Sequence, residues 1–401
     1  MRRGKPADRP RRADAPEAGA PPDVGGGRSV ASVVIPRSLA IVLGLAAATV
    51  AAIGMSGISG ILAPVLLALI LTICANPVRT WLERNGVNRG VATLAVALTT
   101  FALLAAFVYA LVIAFAQFSS LLPDYADQIA AIGANISSWL SSIGFGPDQV
   151  AAIEQGLDPN NLVAFFSGLL GSVFGLIGML VVLLTMLILM PADASYAPTV
   201  LRQLEPRRPH LVSAVREYAH DVRRYMVVTT VLGLVQGVIN GVALVIMGVP
   251  AAFLWALLSF LCSFIPNVGY FIAIVPPLVF GYFEGGWPIV IAIIVVYGLV
   301  NAVVQSIVQP KVVGNAVALS QTLTFFSVLF WAIILGPIGA ILAVPLTLLV
   351  RMLLVDSDPG TRWWRTALGE LTETKSIMKA EDAAAHEARA ERRASGRGRR
   401  S

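Results

Sequence analysis

The chain has 401 residues, 57% of them hydrophobic and only 13% charged, with a formal net charge of +6. Soluble domains carry about a quarter charged residues, and several apolar runs here reach the ~20 residues that a spanning helix needs. Composition therefore excludes a soluble globular protein and predicts an all-α polytopic membrane protein with about eight membrane-embedded segments.

The charges are grouped. The 29 Lys and Arg fall as eight within 1–37, three within 76–90, six within 191–225, Lys311 alone, and eleven from Arg351 onward. Segment 117–165 has none, but carries Asp124, Asp127, Asp148, Glu154 and Asp158. This is the positive-inside pattern, and it predicts that both termini are cytoplasmic. The basic balance reflects orientation and attraction to anionic lipid headgroups at the cytoplasmic face, not a nucleic-acid groove. Cys74 and Cys262 both lie in apolar stretches, where buried thiols are the ordinary case.

Residues 1–37 are rich in Arg, Pro, Gly and Ala and cannot form a core, so they read as a disordered tail. The basic cluster Arg2 to Arg12 stands too far from the apolar run beginning at Leu39 for a signal peptide. Within 38–116, the runs 39–55, 61–75 and 91–116 read as three transmembrane helices. Segment 117–165 is too polar to span. Its Leu122, Tyr125, Ile129, Ile132, Ile136, Trp139 and Ile143 recur at helical spacing and mark one apolar face of an extracytoplasmic helix. That face either lies along the outer surface against a neighbouring subunit or caps its own bundle. In 166–225 the chain returns inward and forms a basic loop, helical around 209–225.

The part from 226 to 355 is built differently. After a full crossing at 226–247, the apolar piece 251–264 is too short for a ~30 Å core and meets "PNVG" at 266–269. A second short piece, 270–283, follows. After the crossing 290–308 and the breaker "QPKVVGN", the pattern repeats: a short piece at 322–335, "GPIG" at 336–339, and 340–355. Two broken units flanking a full crossing point to a transporter site. Irregular backbone at membrane depth is tolerated only where protein or a watery cavity satisfies its polar groups. Each unit is either a re-entrant helical hairpin or a kinked spanning helix. Residues 356–401 form a charged cytoplasmic tail.

Polar groups inside apolar runs are the candidate solute contacts. Asn301, Gln305 and Gln309 follow at four-residue spacing, as do Gln236 and Asn240. Amides can bind a polar solute through donors and acceptors or merely bridge helices. Gly233, Gly237 and Gly241 line the same crossing as Gln236 and suit close helix approach. Glu284 is the only acid between Asp221 and Asp356, and it is the candidate for ion coupling. No phosphate-binding loop, clustered metal ligands or nucleophile–base set can be assembled, so neither an enzyme nor a cofactor is expected.

"FIPNVGYFIAIVPP", "VQPKVVGN" and "GPIGAILAVPL", in that order, resemble the autoinducer-2 exporter family of membrane permeases, and the layout from 39 to 355 is similar as well. The resemblance implies a multi-spanning exporter of small polar solutes in a bacterial-type inner membrane. It also implies a homo-oligomer, with a pentamer as one candidate, and moving hairpins. By matching motif it maps the family's loop region to Pro266, Asn267 and Gly269 and its polar crossing to Asn301, Gln305, Gln309 and Pro310, with solute contact expected at all of these but Pro310, which is a hinge. The final breaker maps to Gly336, Pro337, Gly339 and Pro345. Members have been assigned both signal-molecule export and sodium–proton antiport. Export of a small polar or anionic solute is therefore the first expectation. The alternatives are a sodium (or lithium)–proton antiporter, using Glu284 and the carbonyls of "PNVG", and a non-transporting membrane scaffold.

Overall fold

A computed structural model describes residues 36–144, 146, 147, 149, 173–313, 319–361, 364–368 and 377–382. Among the described residues every regular element is helical. The chain divides into two compact units, Met1–Thr49 and Val50–Ser401. Of the first, residues 36–49 are described, and 37–49 open helix α1 (Arg37–Gly57).

Then come α2 (Ser59–Arg84), α3 (Arg89–Leu121), a 3₁₀ turn (Leu122–Tyr125) and α4 (Ala126–Ser142). These are followed by α5 (Val173–Ala194), α6 (Ala197–Leu204) and α7 (Pro209–Ile246). Among the described residues four helices are long and apolar enough to cross a membrane, or five if the pair Gly178–Ala194 and Ala197–Leu204, bent by 47°, is counted as one span. Large apolar side chains such as Ile246 and Ile333, 80% and 81% exposed, cover the outside. Such a surface suits lipid and not water.

The basic segment around 209–225 is not a separate loop helix. It continues into the next crossing as the single helix α7, with Pro209 in its first turn, where a proline's missing N–H has no intrahelical partner to lose. The apolar face predicted for 122–143 divides in two. Leu122 and Ile129 are buried in one core with Phe118 and Phe280, so this half caps its own chain. Ile136, Trp139 and Ile143 are exposed. Residues 145, 148 and 150–172, which complete the outer segment and begin the returning crossing, lie outside the described residues.

From Ala252 the chain doubles back repeatedly. Helix α8 (Ala252–Cys262) runs antiparallel to α7. A Cβ added at Gly233, Gly237 or Gly241 would meet Ser263, Ala256 or Phe260 at 2.0–3.3 Å, so the three glycines form the groove that admits α8. The chain then reverses at 263–268. Helix α9 (Gly269–Asn301) returns along α8, and Trp255 stacks on Phe280, 5.9 Å between ring centroids. A straight helix would hold these residues about 37 Å apart.

Helix α9 is itself two arms, 269–284 and 287–301. They are broken at Gly285 and Gly286, the latter at φ 64°. By length and composition the stretch passes as one crossing. Its arms nonetheless fold together, because a Cβ on Gly281 would come within 2.5 Å of Ile293, and the Tyr270 hydroxyl lies beside Gly298. A π-helical stretch (Ala302–Val308) and the short α10 (Gln309–Val313) follow.

The second broken unit behaves in the same way. Helix α11 (Gln321–Leu335) ends at Gly336, φ 69°, and α12 (Pro337–Ile341) and α13 (Ala343–Arg351) turn back along it. The Trp331 indole N–H donates to the Thr347 hydroxyl at 3.1 Å across this reversal. Phe264 from the first reversal shares one buried core with Trp331, Leu342 and Leu346 of the second unit and with Tyr225 and Met226 of α7. Both turns therefore meet against the middle of α7.

The two ends of the second unit are tied together. A π turn (Met352–Asp356) follows α13, and the short helix α14 (Trp364–Leu368) comes after it. The Ser320 N–H donates to the Leu368 carbonyl at 3.1 Å. Asp356, only 3% exposed, accepts from Arg351 at 3.2 Å and from Arg365 at 2.6 Å. Arg365 also reaches Glu217 of α7 at 3.1 Å. A buried carboxylate that loses its place strands its cationic partners, at a cost of about 3–5 kcal/mol. Asp356→Ala should therefore lower the melting temperature in detergent sharply. Arg216→Ala, which breaks the exposed Arg216–Glu205 pair, should change stability by less than about 1 kcal/mol.

Candidate functional site

Three of the predicted amides converge. Gln236 of α7, Gln305 of the π stretch and Gln309 of α10 line a small cavity with Thr229, Gly233, Ser263 and Val304, about 10 Å³ in volume. A space of that size holds about one water. The cavity lies where the first reversal meets α7, so each wall comes from a different segment. Gly233 has no side chain, which lets Ser263 approach α7. The Ser263 hydroxyl donates to the Phe260 carbonyl at 2.6 Å, stopping the end of α8 from fraying.

The cavity is uncharged and under-satisfied. Thr229 and Gln236 are 2% and 4% exposed; the Thr229 hydroxyl lies near enough to Tyr225 Oη to interact with it, while Gln236 Oε1 has no hydrogen-bond partner among the described residues. A buried polar atom without a partner costs about 1–3 kcal/mol, so Gln236 Oε1 favours an occupant with a hydrogen to donate. One turn along α7, the fully buried Asn240 donates its Nδ2 to Ser259 Oγ at 3.4 Å, and Ser259 donates to Tyr297 Oη at 3.5 Å. Both bonds are long, and Asn240 Oδ1 has no partner among the described residues.

The remaining predicted residues are distributed otherwise. Asn301, Gln305 and Gln309 were expected on one α-helical face. The π turn from Ala302 to Val308 changes the pitch between them, and Asn301 does not line the cavity. Its Oδ1 is buried and has no hydrogen-bond partner among the described residues. A π turn inserted into an α-helix is a frequent feature of functional positions. At the first reversal, Pro266 is half-buried and its carbonyl accepts from Val268 N–H at 2.8 Å. Asn267 is exposed, at φ 64°, a left-handed conformation that asparagine tolerates. Only Ser263 of this turn reaches the cavity.

Gly269 serves geometry: a Cβ there would lie 1.9 Å from the Cys262 carbonyl. Gly336, Pro337 and Gly339 form the second reversal and do not line the cavity, and a Cβ on Gly339 would lie 2.0 Å from the Trp331 carbonyl. Pro345 is buried in α13, and Pro310 belongs to α10. Glu284 is exposed beside the break in α9, where the Tyr125 hydroxyl donates to its carboxylate.

Sequence reasoning missed Thr229, Ser259, Ser263 and Tyr297. The helical spacing was present: Thr229 is two turns before Gln236, Ser259 and Ser263 are one turn apart, and Tyr297 is one turn before Asn301. Isolated hydroxyls in apolar helices are too common to single out without the fold.

A lipid-facing helical protein with broken helices around a buried polar cavity is of the membrane-transporter class. Residues 39–356 match the family described as AI-2E family transporter, and the chain belongs to it. It is similar to YhhT of Escherichia coli (strain K12), a protein provisionally classed as a transporter. They are 28% identical over 324 residues, 80% of this chain and 92% of that protein. The AI-2 transport protein TqsA of the same organism is 27% identical over 333 residues, covering 82% and 95%. A provisionally classed transport protein of Haemophilus influenzae is 27% identical over 340 residues, covering 83% and 97%.

Gly269→Ala separates geometry from ligand contact. The added methyl has no space against the Cys262 carbonyl and should cost about 3 kcal/mol, the upper part of the range for overpacking. Gly60→Ala meets nothing within 4 Å and should be neutral or slightly stabilising. Thermal unfolding of the two purified variants checks this.

Proposed function

We propose that this membrane transporter is a secondary exporter of a small polar or anionic solute, with an autoinducer-2-like signalling molecule as the leading candidate. The carrying observation is the convergence of Gln236, Gln305 and Gln309 on one buried cavity, where Gln236 Oε1 is unpaired among the described residues. The likeness to TqsA, named for AI-2 transport, supports the substrate class. Asn240, Asn301 and the turn residues Pro266, Asn267 and Gly269 form the surrounding binding region, and 226–355 is the transport core. The tails 1–37 and 356–401 are cytoplasmic, with Asp356 and Arg365 bonded to the core and the remaining basic residues drawn to anionic headgroups, and the molecule works as a homo-oligomer in the inner membrane.

In this reading the two reversals are tips of re-entrant hairpins inserted from opposite faces, among about eight embedded segments. The first tip lies beside Gly233, thirteen residues or about 20 Å from the Ile246 end of α7. The second unit's ends are bonded to Glu217, toward the other end of that helix. Gly336, Pro337, Gly339 and Pro310 then act as hinges. The antiporter reading needs Glu284 and the 266–269 carbonyls as shared ligands. They sit at opposite ends of the 269–284 arm, about 22 Å apart, which favours solute export.

Single cysteines test the arrangement. Positions 251 and 283 should react with an impermeant reagent from the outer face, with Trp139→Cys. Positions 322, 355 and Arg84→Cys should react from the inner face. Reaction of 251 and 283 from opposite faces would replace the first hairpin by a kinked span.

Gln305→Leu tests the cavity. Removing one donor and one acceptor from a bound solute should cost about 1–3 kcal/mol, a roughly 5- to 150-fold loss of apparent affinity in autoinducer-2 counterflow. The melting temperature should change little. Lower stability with unchanged affinity would make Gln305 a helix bridge instead.

A further inference from the structure

We infer that Arg224 is a gate residue that closes the amide cavity from the arginine-rich end of α7. The inference rests on the reading of that cavity as the solute site. Arg224 is exposed, and both its Nε, at 3.1 Å, and its Nη2, at 2.7 Å, donate to one acceptor, the carbonyl of Val312. It forms no ion pair among the described residues, while the nearby Glu217 is taken by Arg365.

Two cavity walls are joined by this contact. Thr229 and Gln236 belong to α7, and Gln305 and Gln309 belong to the π stretch and α10. Along α7, Arg224 precedes Thr229 by five residues, or about 7.5 Å of helix, and Val312 follows Gln309 by three. The guanidinium thus fastens the walls together within about two turns of the polar groups, on the side away from the Ile246 end of α7.

The chemistry suits a reversible closure. A backbone carbonyl keeps its acceptor character at every physiological pH, and a planar guanidinium can engage it with two N–H groups at once. At an exposed position, such a bond is weak enough to open without stranding a buried charge. The adjoining π stretch supplies a segment whose helical register can change. Neighbouring Arg223, by contrast, donates to the Ile73 carbonyl of α2 and fastens a different pair of helices.

Thiol accessibility tests the gate without using the solute. In proteoliposomes, Thr229→Cys is placed in a Cys74→Ser, Cys262→Ala background. An impermeant maleimide is added from the face at which Arg216→Cys reacts, so no orientation is assumed. Arg224→Gln should raise the labelling rate by about two- to fivefold, the factor expected on losing an exposed charged contact. Arg224→Lys, with one point donor, should fall between, and Arg216→Gln should leave the rate unchanged. An unchanged rate in Arg224→Gln overturns the gate. If that variant does not fold, an unchanged rate in Arg224→Lys overturns it equally. Failure of the Gln305→Leu affinity test would alter the solute reading and leave this labelling result standing.

Discussion

Close approach of backbone to backbone is the constraint on which the two chain reversals at 263–268 and 336–342 are built. In each, a glycine is pressed against a carbonyl of the helix it returns along: Gly269 against Cys262, and Gly339 against Trp331. No other side chain permits such an approach. The turn amides then find partners within the turn itself, Val268 N–H on the Pro266 carbonyl and Ala340 N–H on Gly336. Because each reversal is compact, both fit against the middle of α7, where Phe264 and Leu342 enter one core.

Helix α7 is the common axis of these elements. Toward its Ile246 end, three glycines at four-residue spacing make the groove that holds α8. The same close approach brings Ser263 and Ser259 to the face that carries Thr229, Gln236 and Asn240. Packing and polarity are therefore linked: small residues draw the backbones together, and the amides between them are left with too few partners.

At the arginine-rich end, guanidinium groups reach backbone carbonyls of other segments. Arg79 donates to the Pro191 carbonyl, Arg89 to Ser195, Arg223 to Ile73 and Arg224 to Val312. Several of these carbonyls lie at or near helix ends, where acceptors lack intrahelical donors. Arginine can keep its charge near water and still bond such groups. These arginines thus join α2, α3, α5, α7 and α10 to their neighbours.

Apolar run lengths, charge placement and breaker motifs determined by themselves that this is a helical membrane protein with two interrupted units, since each is a local property of the chain. The amides could be named from the sequence for the same reason, because a polar side chain in an apolar run is conspicuous. Tertiary structure decided which of them meet. Gln236 and Gln305 are far apart in sequence and come together only because α8 and the arms of α9 fold back on α7. Asn301 is separated from Gln305 by a π turn that no composition announces. Glu284, conspicuous as a lone acid, belongs to a contact with Tyr125 across 159 residues. The hydroxyls of Thr229 and Ser263 gain meaning only where glycine lets two helices touch, because such contacts depend on distance in space and not on order along the chain.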